Sequence, residues 1–158
     1  MRECSAKGDI VSVLPYDPIK KTFLMVEQFR IGMHVRGVVP WNQEIVAGFM
    51  DVEGESPEDT AKRELIEETG CSAIQLYPLI EYYPSPGGSG AKNYVFIATV
   101  DSSQAEKHTG IIEEGEDIYV KTIPLDTVKT QLKNKEIDNA TAIIALQQFF
   151  SDNWPEKL

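Results

Sequence analysis

The sequence lacks three features that mark large classes of proteins. No apolar run approaches the roughly 20 residues that cross a bilayer, and the opening residues, MRECSAKGDIV, contain no apolar signal-peptide core. Basic charge is also not in excess, because 25 acidic residues outnumber 15 basic ones and give a formal net charge of -10. Such a surface repels phosphate backbones and anionic lipid heads. We therefore expect no nucleic-acid or membrane partner and predict a cytoplasmic location.

Cysteine is scarce as well. Cys4 and Cys71 lie far apart in the chain, and neither belongs to a metal-type pair. Free thiols are therefore expected rather than a disulfide or a zinc site, and His34 and His108 fit no ligand spacing. With 158 residues, 42% of them hydrophobic, and with no repeat or linker, the chain is predicted to form one globular domain over residues 1–158.

The hydrophobic patterns predict a mixed α+β protein. Strands are predicted over residues 9–18, 21–30, 44–48, 73–83, 92–100 and 117–123, with a hairpin turn between the first two. Helices are predicted after Ser56, from Leu125 and over residues 139–150. The segment 30–43 carries three turn-forming residues and no clean period, so it is predicted to be a loop. The fold class that follows is a mixed sheet sandwiched between helices, an α/β/α sandwich.

The central predicted helix lies in the stretch GESPEDTAKRELIEETG, residues 54–70. Ser56 is a good N-cap, Pro57 suits the first helical position, and Gly70 is a natural stop. Ala61 and Leu65 share a face that suits the core. The sequence thus predicts one helix with well-defined ends.

A second face of this helix carries Glu64, Glu67 and Glu68. Like charges at these spacings repel one another, and Arg63, which can reach Glu67 across one turn, cannot neutralise three carboxylates. Hard divalent cations with oxygen ligands, Mg²⁺ in particular, are natural partners for such a face. Considered alone, this helix face would be interpreted as an ordinary solvated acidic face, because glutamate-rich helix faces are usually solvated.

A longer pattern surrounds these residues. It begins at Gly48, continues through Glu55, and is completed on the helix by Arg63, Glu64, Leu65, Glu67, Glu68, Gly70 and Cys71. This pattern resembles the Nudix box, with one departure: six residues instead of five separate Gly48 from Glu55. The seven-residue spacing from Glu55 to Arg63 is intact, so we expect the extra residue to bulge in the loop before the helix.

The resemblance implies a metal-dependent hydrolase of nucleoside diphosphates linked to another moiety, with Mg²⁺ as cofactor and Mn²⁺ as an alternative. By analogy with the family, Glu64 and Glu68 are the main metal ligands. Glu67 is a further ligand or a catalytic group beside them, Arg63 orients a glutamate, and the Ala47 carbonyl is a metal ligand whose position the extra residue affects.

The segments EQFRIG, EIVAG, SPGGS and IDNATAIIALQ resemble the ADP-ribose pyrophosphatase branch of the family. This resemblance implies Glu114 as the general base and Glu116 as a further metal ligand. It also implies a set of substrate-binding residues, which comprises Arg30, Glu44, Ser85, Gly87 and Gly88. From the residues alone, Arg30 could be an ordinary surface arginine and SPGGS an ordinary hairpin turn. A solvated acidic turn likewise remains open for Glu113 and Asp117.

The predicted reaction is hydrolysis of ADP-ribose to AMP and ribose 5-phosphate by a homodimer. Two alternatives remain, namely hydrolysis of another nucleoside diphosphate sugar and a non-catalytic Nudix domain that senses ADP-ribose-like ligands. Two departures from the branch bear on the substrate. A glutamate that often follows the SPGGS segment would fall near Ala91, and the chain begins only a few residues before its first strand, where N-terminal strands that help to hold adenine are usual.

Overall fold

The computed structural model describes residues 3–5, 8–110 and 117–158, and within these ranges the chain forms eight β-strands and four α-helices. The strands are β1 (Ile10–Asp17), β2 (Thr22–Phe29), β3 (Trp41–Glu44), β4 (Val46–Phe49), β5 (Gln75–Tyr82), β6 (Asn93–Thr99), β7 (His108–Thr109) and β8 (Ile118–Pro124). The helices are α1 (Ile31–Val35), α2 (Pro57–Thr69), α3 (Leu125–Lys133) and α4 (Ala140–Ser151).

The described strands form one mixed sheet in the order β5-β6-β1-β2-β8-β7. Strands β1 and β6 are parallel, and the other pairs are antiparallel. The β1–β2 pairing is confined to the end next to their connecting turn, where Tyr16 opposes Phe23. Farther along, β1 pairs with β4 and β2 pairs with β3. The two central strands therefore separate at one end of the sheet, and the β3–β4 segment lines the opening.

The sheet separates two cores because successive side chains of a strand point to opposite faces. On one face, Val11 and Val13 of β1 cluster with Ala61 and Leu65 of α2. On the other face, residues from β1, β2 and β6 cluster with α3 and α4, and this set includes Leu14, Tyr16, Phe23, Val95, Val128, Leu146 and Phe149. The predicted sandwich of a mixed sheet between helices is confirmed.

The segment 30–43 differs from the predicted loop. It contains the short helix α1 and the strand β3, and the strand predicted over 44–48 is divided at Ile45 into β3 and β4. The loop prediction was wrong because none of the α1 residues is buried, so no apolar period marks the helix. Strand β3 is likewise defined by its pairing with β2, on the other side of α1 in the chain, and not by a pattern within its own four residues.

Helix α2 has the ends that its sequence predicts. The Ser56 hydroxyl accepts a hydrogen bond from the Asp59 amide at 3.2 Å, and the Asp59 carboxylate interacts with Ser56 in return, which completes a capping box. Gly70 ends the helix in the left-handed conformation at φ 72°. These local signals fix the register of the acidic face.

Among the described residues, no helix is long and apolar enough to cross a membrane.

Asp17 fixes the turn between β1 and β2, which is the end of the sheet away from the opening. Its Oδ1 accepts the amides of Ile19 at 3.0 Å and Lys20 at 2.9 Å, and its Oδ2 accepts the amide of Ser102 at 3.0 Å and the Ser102 hydroxyl at 2.7 Å. Burial alone would raise the pKa of Asp17, but the hydrogen bonds from Lys20, Ser102 and Ile19 outweigh burial and lower it below the ordinary value.

We expect Asp17→Asn to lower the free energy of unfolding by about 2–3 kcal/mol at pH 7, because an amide group would then face several buried donors. A carboxylate whose pKa is lowered in the folded chain stabilises it above the unfolded-state pKa and loses this effect as pH falls through the folded-state pKa. The difference between the two proteins should therefore shrink below about pH 4. Urea unfolding at pH 7 and pH 3 measures it, with exposed Asp138→Asn as control. An equal difference at both values would contradict this account.

Candidate active site

A cleft of about 560 Å³ lies at the end of the sheet where β1 and β2 separate. Its walls come from the central strands, the loop before α2, the acidic face of α2 and the start of α4. The lining residues are Ile10, Ser12, Gln28, Arg30, Ala47, Gly48, Phe49, Asp51, Val52, Arg63, Glu64, Glu67, Glu68, Pro84, Asn93 and Thr141. The structure thus brings the predicted residues Arg30, Ala47, Arg63, Glu64, Glu67 and Glu68 into one site.

Glu68 is the most deeply buried acid of this site, with an exposed fraction of 3%. Its Oε1 accepts a hydrogen bond from Gln28 Nε2 at 3.2 Å, and its Oε2 accepts one from the Ala47 amide at 3.3 Å. These donors come from β2 and β4, so two strands fix the carboxylate of one helix residue. A buried carboxylate held in this way is preorganised to bind a cation.

Glu64 lies one turn earlier on α2 and packs directly against β4. A Cβ atom added to Gly48 would overlap the Glu64 carboxylate. The glycine that opens the sequence motif is therefore explained by space, because the carboxylate occupies the volume that any larger residue would fill.

Arg63 holds the acids of the cleft in place. Its Nη1 donates to Glu64 at 2.7 Å and to Glu67 at 3.0 Å, and its Nε lies 3.3 Å from Glu55. Burial by itself would lower the pKa of Arg63, but the charge of Glu64 and the hydrogen bonds to Glu55 and Glu64 outweigh it and raise the pKa. The guanidinium thus stays charged and offsets part of the repulsion between the carboxylates.

The loop before the helix contains a turn, and the contacts of Glu55 with the helix are intact. The Glu55 amide donates to the Val52 carbonyl at 3.2 Å, and Gly54 within this turn has φ 86°, a conformation that favours glycine. The Glu55 side chain still accepts the Thr60 hydroxyl at 3.0 Å and meets Arg63. The loop between Gly48 and Glu55 thus contains a turn just before the helix, and the expected bulge of the extra residue stays a prediction.

Arg30 and Glu44 form a two-point ion pair at the edge of the cleft. Arg30 Nε donates to Glu44 Oε1 at 2.7 Å, and Nη2 donates to Oε2 at 2.8 Å. The Glu44 side chain is 8% exposed and that of Arg30 is 43% exposed. Glu44 therefore orients a guanidinium that lies at the cleft surface, and planar guanidinium groups suit phosphate oxygens.

The predicted substrate loop lies beside the cleft rather than in its wall. Pro84 lines the cleft, whereas Ser85, Gly87 and Gly88 form an exposed turn in which the Ser85 carbonyl accepts the Gly88 amide at 3.1 Å. A Cβ atom at Gly87 or Gly88 would meet nothing within 4 Å among the described residues. Neither glycine is required by packing in this conformation.

The predicted general base Glu114 and the predicted ligand Glu116 lie outside the described residues, as does Gly115 between them. The chain that leads into this segment is fixed to the acidic helix, because the Thr109 hydroxyl donates to the Glu68 carbonyl at 2.6 Å. The predicted roles of Glu114 and Glu116 remain predictions.

Several polar residues of the cleft were missed by the sequence reasoning. Ser12 donates to Asn93 at 3.1 Å, Asn93 donates to the Tyr82 hydroxyl at 3.1 Å, and Tyr82 donates to Thr141 at 2.9 Å. The strand period could have found Gln28, because it follows buried Leu24 and Val26 on the face toward α2. No local signal links Asn93 to Thr141, since they lie on separate elements.

The chemistry of the acidic face fits a hard divalent cation. Glu64 and Glu68 supply carboxylate oxygens, the donors that such cations prefer. Among the described residues, no three acidic, histidine or cysteine side chains form a preformed metal centre. Arg63 pairs with Glu64 and Glu67, so metal binding would require these ion pairs to rearrange.

We expect Gly48→Ala to lower kcat about tenfold or more while changing the free energy of unfolding by less than about 1 kcal/mol. The added methyl group must displace the Glu64 carboxylate, which is the flexible end of a side chain, whereas the backbone need not move. Steady-state kinetics and urea unfolding measure the two effects. Gly90→Ala is the matched control, because its Cβ would meet none of the described residues within 4 Å. Normal kcat for Gly48→Ala would contradict the role of this contact.

The chain matches the NUDIX domain model over residues 6–146. It is 36% identical over 146 residues to the ADP-ribose pyrophosphatase of Escherichia coli (strain K12), covering 92% of this chain and 69% of the relative. It is 37% identical over 149 residues to the ADP-ribose pyrophosphatase of Haemophilus influenzae (strain ATCC 51907 / DSM 11121 / KW20 / Rd), covering 92% and 68%. It is also 34% identical over 147 residues to the GDP-mannose pyrophosphatase of Enterobacter sp. (strain 638), covering 92% and 75%.

A solved structure described as an ADP compounds hydrolase has a similar fold. The TM-score is 0.75 at 21% sequence identity, and the match covers 98% of this chain and 75% of the other. The family match spans most of the chain and includes the residues of the acidic face. The chain therefore belongs to the Nudix family.

Proposed function

We propose that this Nudix hydrolase cleaves the pyrophosphate bond of ADP-ribose with the help of a divalent cation and produces AMP and ribose 5-phosphate. The observation that carries the proposal is the buried pair Glu64 and Glu68, which shares one cleft with Arg30. The ADP-ribose pyrophosphatases that the chain resembles support the choice of substrate.

A bound cation would offset the negative charge of the acidic cleft and of the pyrophosphate. In this proposal Glu64 and Glu68 hold it, with Glu67, the Ala47 carbonyl and Glu116 as further ligands. The oxygen donors favour Mg²⁺, and Mn²⁺ is the alternative. The preference between the two cations is measured by recording activity at increasing concentrations of Mg²⁺ and, separately, of Mn²⁺.

The remaining residues bind the substrate and move the proton. Arg30, oriented by Glu44, contacts phosphate oxygens, and Arg63 positions the acids of α2. Ser85, Gly87 and Gly88 approach the substrate from the loop beside Pro84. Glu114 accepts a proton from the water molecule that attacks phosphorus, the bond from that phosphorus to the bridging oxygen breaks, and the two monophosphates leave.

A second candidate is hydrolysis of another nucleoside diphosphate sugar, favoured by the similarity to a GDP-mannose pyrophosphatase. The test is kcat/KM for ADP-ribose, ADP-glucose and GDP-mannose under identical Mg²⁺ conditions. We expect the highest value for ADP-ribose. A higher value for GDP-mannose would replace the proposed substrate, and binding of ADP-ribose without turnover of any nucleotide would indicate a non-catalytic sensor.

We also propose that the chain forms a homodimer in the cytoplasm. Several large apolar side chains near α1 and β3 are exposed, with fractions of 79% for Val35, 72% for Val39 and 45% for Trp41. A closed two-fold pair would bury such a patch. The two free cysteines, Cys4 and Cys71, are compatible with a reducing compartment.

If the partner completes each site, dilution should lower activity per chain as the dimer dissociates. Sedimentation velocity and specific activity over one concentration series measure the two together. Val39→Glu should shift dissociation to higher concentration, because charge would enter the apolar patch, whereas exposed Ile74→Glu, remote in sequence, is the control. A monomer with constant specific activity would contradict the proposed dimer.

A further inference from the structure

A second cleft, of about 470 Å³, lies at the other end of the central strands. It is formed by the β1–β2 turn, the start of α3, the end of α4 and the 3-10 helix Trp154–Glu156 that follows. Among the described residues, none that lines it also lines the cleft with the acidic face. The second cleft is therefore separate from Arg30, Arg63, Glu64, Glu67 and Glu68.

The second cleft is lined by three lysines, although the whole chain carries a net charge of -10. Lys20 is partly neutralised by Asp101 at 3.1 Å and Asp17 at 3.7 Å. Lys21 has no ion pair among the described residues, and Lys129 lies over the Phe150 ring at 5.6 Å. Two ammonium groups are thus available for an anion beside an aromatic ring.

Tyr16 supplies a side-chain donor to this cleft. The residue is 1% exposed and lines the cleft, and its hydroxyl makes no hydrogen bond within the described part of the chain. This hydroxyl is not among the fully enclosed unpaired polar atoms of the described residues, so it reaches the cleft, where a bound acceptor can take its hydrogen bond. Burial, and then the nearby charge of Asp17, raise the pKa of Tyr16, so the hydroxyl keeps its proton and can donate it to an acceptor.

The start of α3 adds backbone donors. Pro124 precedes the nine-residue helix, and no side chain caps its first turn. The Leu125 amide donates to the Lys21 carbonyl at 2.9 Å, which fixes the helix start against the lysine-bearing turn. The amide groups that follow Leu125 in this first turn attract anions, and Leu125 and Asp126 line the cleft together with the lysines and Tyr16.

We propose that this second cleft binds the phosphate group of a small anion, with Tyr16, Lys21 and Lys129 as its side-chain donors. Asp126 and Glu156 also line the cleft and oppose an anion, so we expect binding in the millimolar range. Inorganic phosphate and phosphate monoesters share the chemistry that these donors recognise. A contact with Phe150 would favour a monoester that carries a base.

Amide chemical shifts of the full ¹⁵N-labelled chain, measured in excess chelator, test the proposal without turnover. Inorganic phosphate, ribose 5-phosphate and AMP are titrated separately, and we expect each to shift the amides of Lys21, Leu125, Asp126 and Lys129. Tighter binding of AMP than of ribose 5-phosphate would show that the base contributes. Equal affinities would show that the phosphate group alone is recognised.

Tyr16→Phe and Lys129→Gln should each weaken phosphate binding about tenfold, whereas Lys133→Gln, on the same helix but outside the cleft, should not. Tyr16→Phe keeps the ring that packs against Phe23 and Phe149, so the fold should persist, and the amide spectrum reports whether it does. The proposal is overturned if no shift occurs at the second cleft, or if folded Tyr16→Phe and Lys129→Gln bind phosphate as the parent chain does.

Discussion

Replacing Glu68 by glutamine should lower kcat by about two to three orders of magnitude and leave the melting temperature unchanged or higher. Glutamine keeps the size of the side chain but removes the charge that a cation needs. The fold should tolerate the change, because repulsion on the acidic face falls and an amide oxygen can still accept the bond from Gln28 or Ala47.

Steady-state kinetics and thermal unfolding of the same preparation measure both parts of the Glu68→Gln prediction. Glu58→Gln is the matched control, because Glu58 is an exposed glutamate on the same helix and does not line the cleft. If Glu68→Gln instead lowered the melting temperature, and the fraction that remained folded had a normal rate per molecule, the acidic face would be structural rather than catalytic.

Replacing Arg63 by alanine should lower the free energy of unfolding of the metal-free chain by about 3 kcal/mol and kcat/KM by about a hundredfold. The change leaves Glu55, Glu64 and Glu67 without the guanidinium that pairs with all three. Repulsion among them should then move Glu64 away from Gly48, so the loss of stability and the loss of activity share one cause.

Mg²⁺ should restore part of the stability of Arg63→Ala, because a cation that binds the folded chain stabilises it by linkage. Urea unfolding with Mg²⁺ and with chelator measures this recovery. Lys62→Ala removes an exposed cation from the neighbouring position and should change neither quantity. If Arg63→Ala were as stable as Lys62→Ala in chelator, Arg63 would not hold the acidic face together.

Local signals account for the parts of the structure that the sequence predicted. Helix α2 has its capping residues, its core face and its stop within 15 residues, from Ser56 to Gly70. Its contacts therefore follow from spacing along one helix. The resemblance to the family also includes a glycine at position 48. The structure explains why this residue is glycine, because the Glu64 carboxylate occupies the space that a Cβ atom would need.

Long-range pairing explains what the sequence reasoning missed. Gln28 contacts Glu68 because β2 packs against α2. A series of hydrogen bonds from Ser12 through Asn93 and Tyr82 to Thr141 links three strands to α4. The division of β3 from β4 at Ile45 depends on two different partner strands. None of these contacts follows from a pattern within a single segment.

The most direct test of the account is the fate of ADP-ribose when it is incubated with the chain in Mg²⁺ or in excess chelator. Separation of the products by anion-exchange chromatography should yield AMP and ribose 5-phosphate in equal amounts with Mg²⁺ and none with chelator, because the acidic cleft cannot hold a pyrophosphate without a cation. Undiminished formation of AMP in excess chelator would contradict metal-dependent hydrolysis, and intact ADP-ribose in both conditions would contradict the proposed activity.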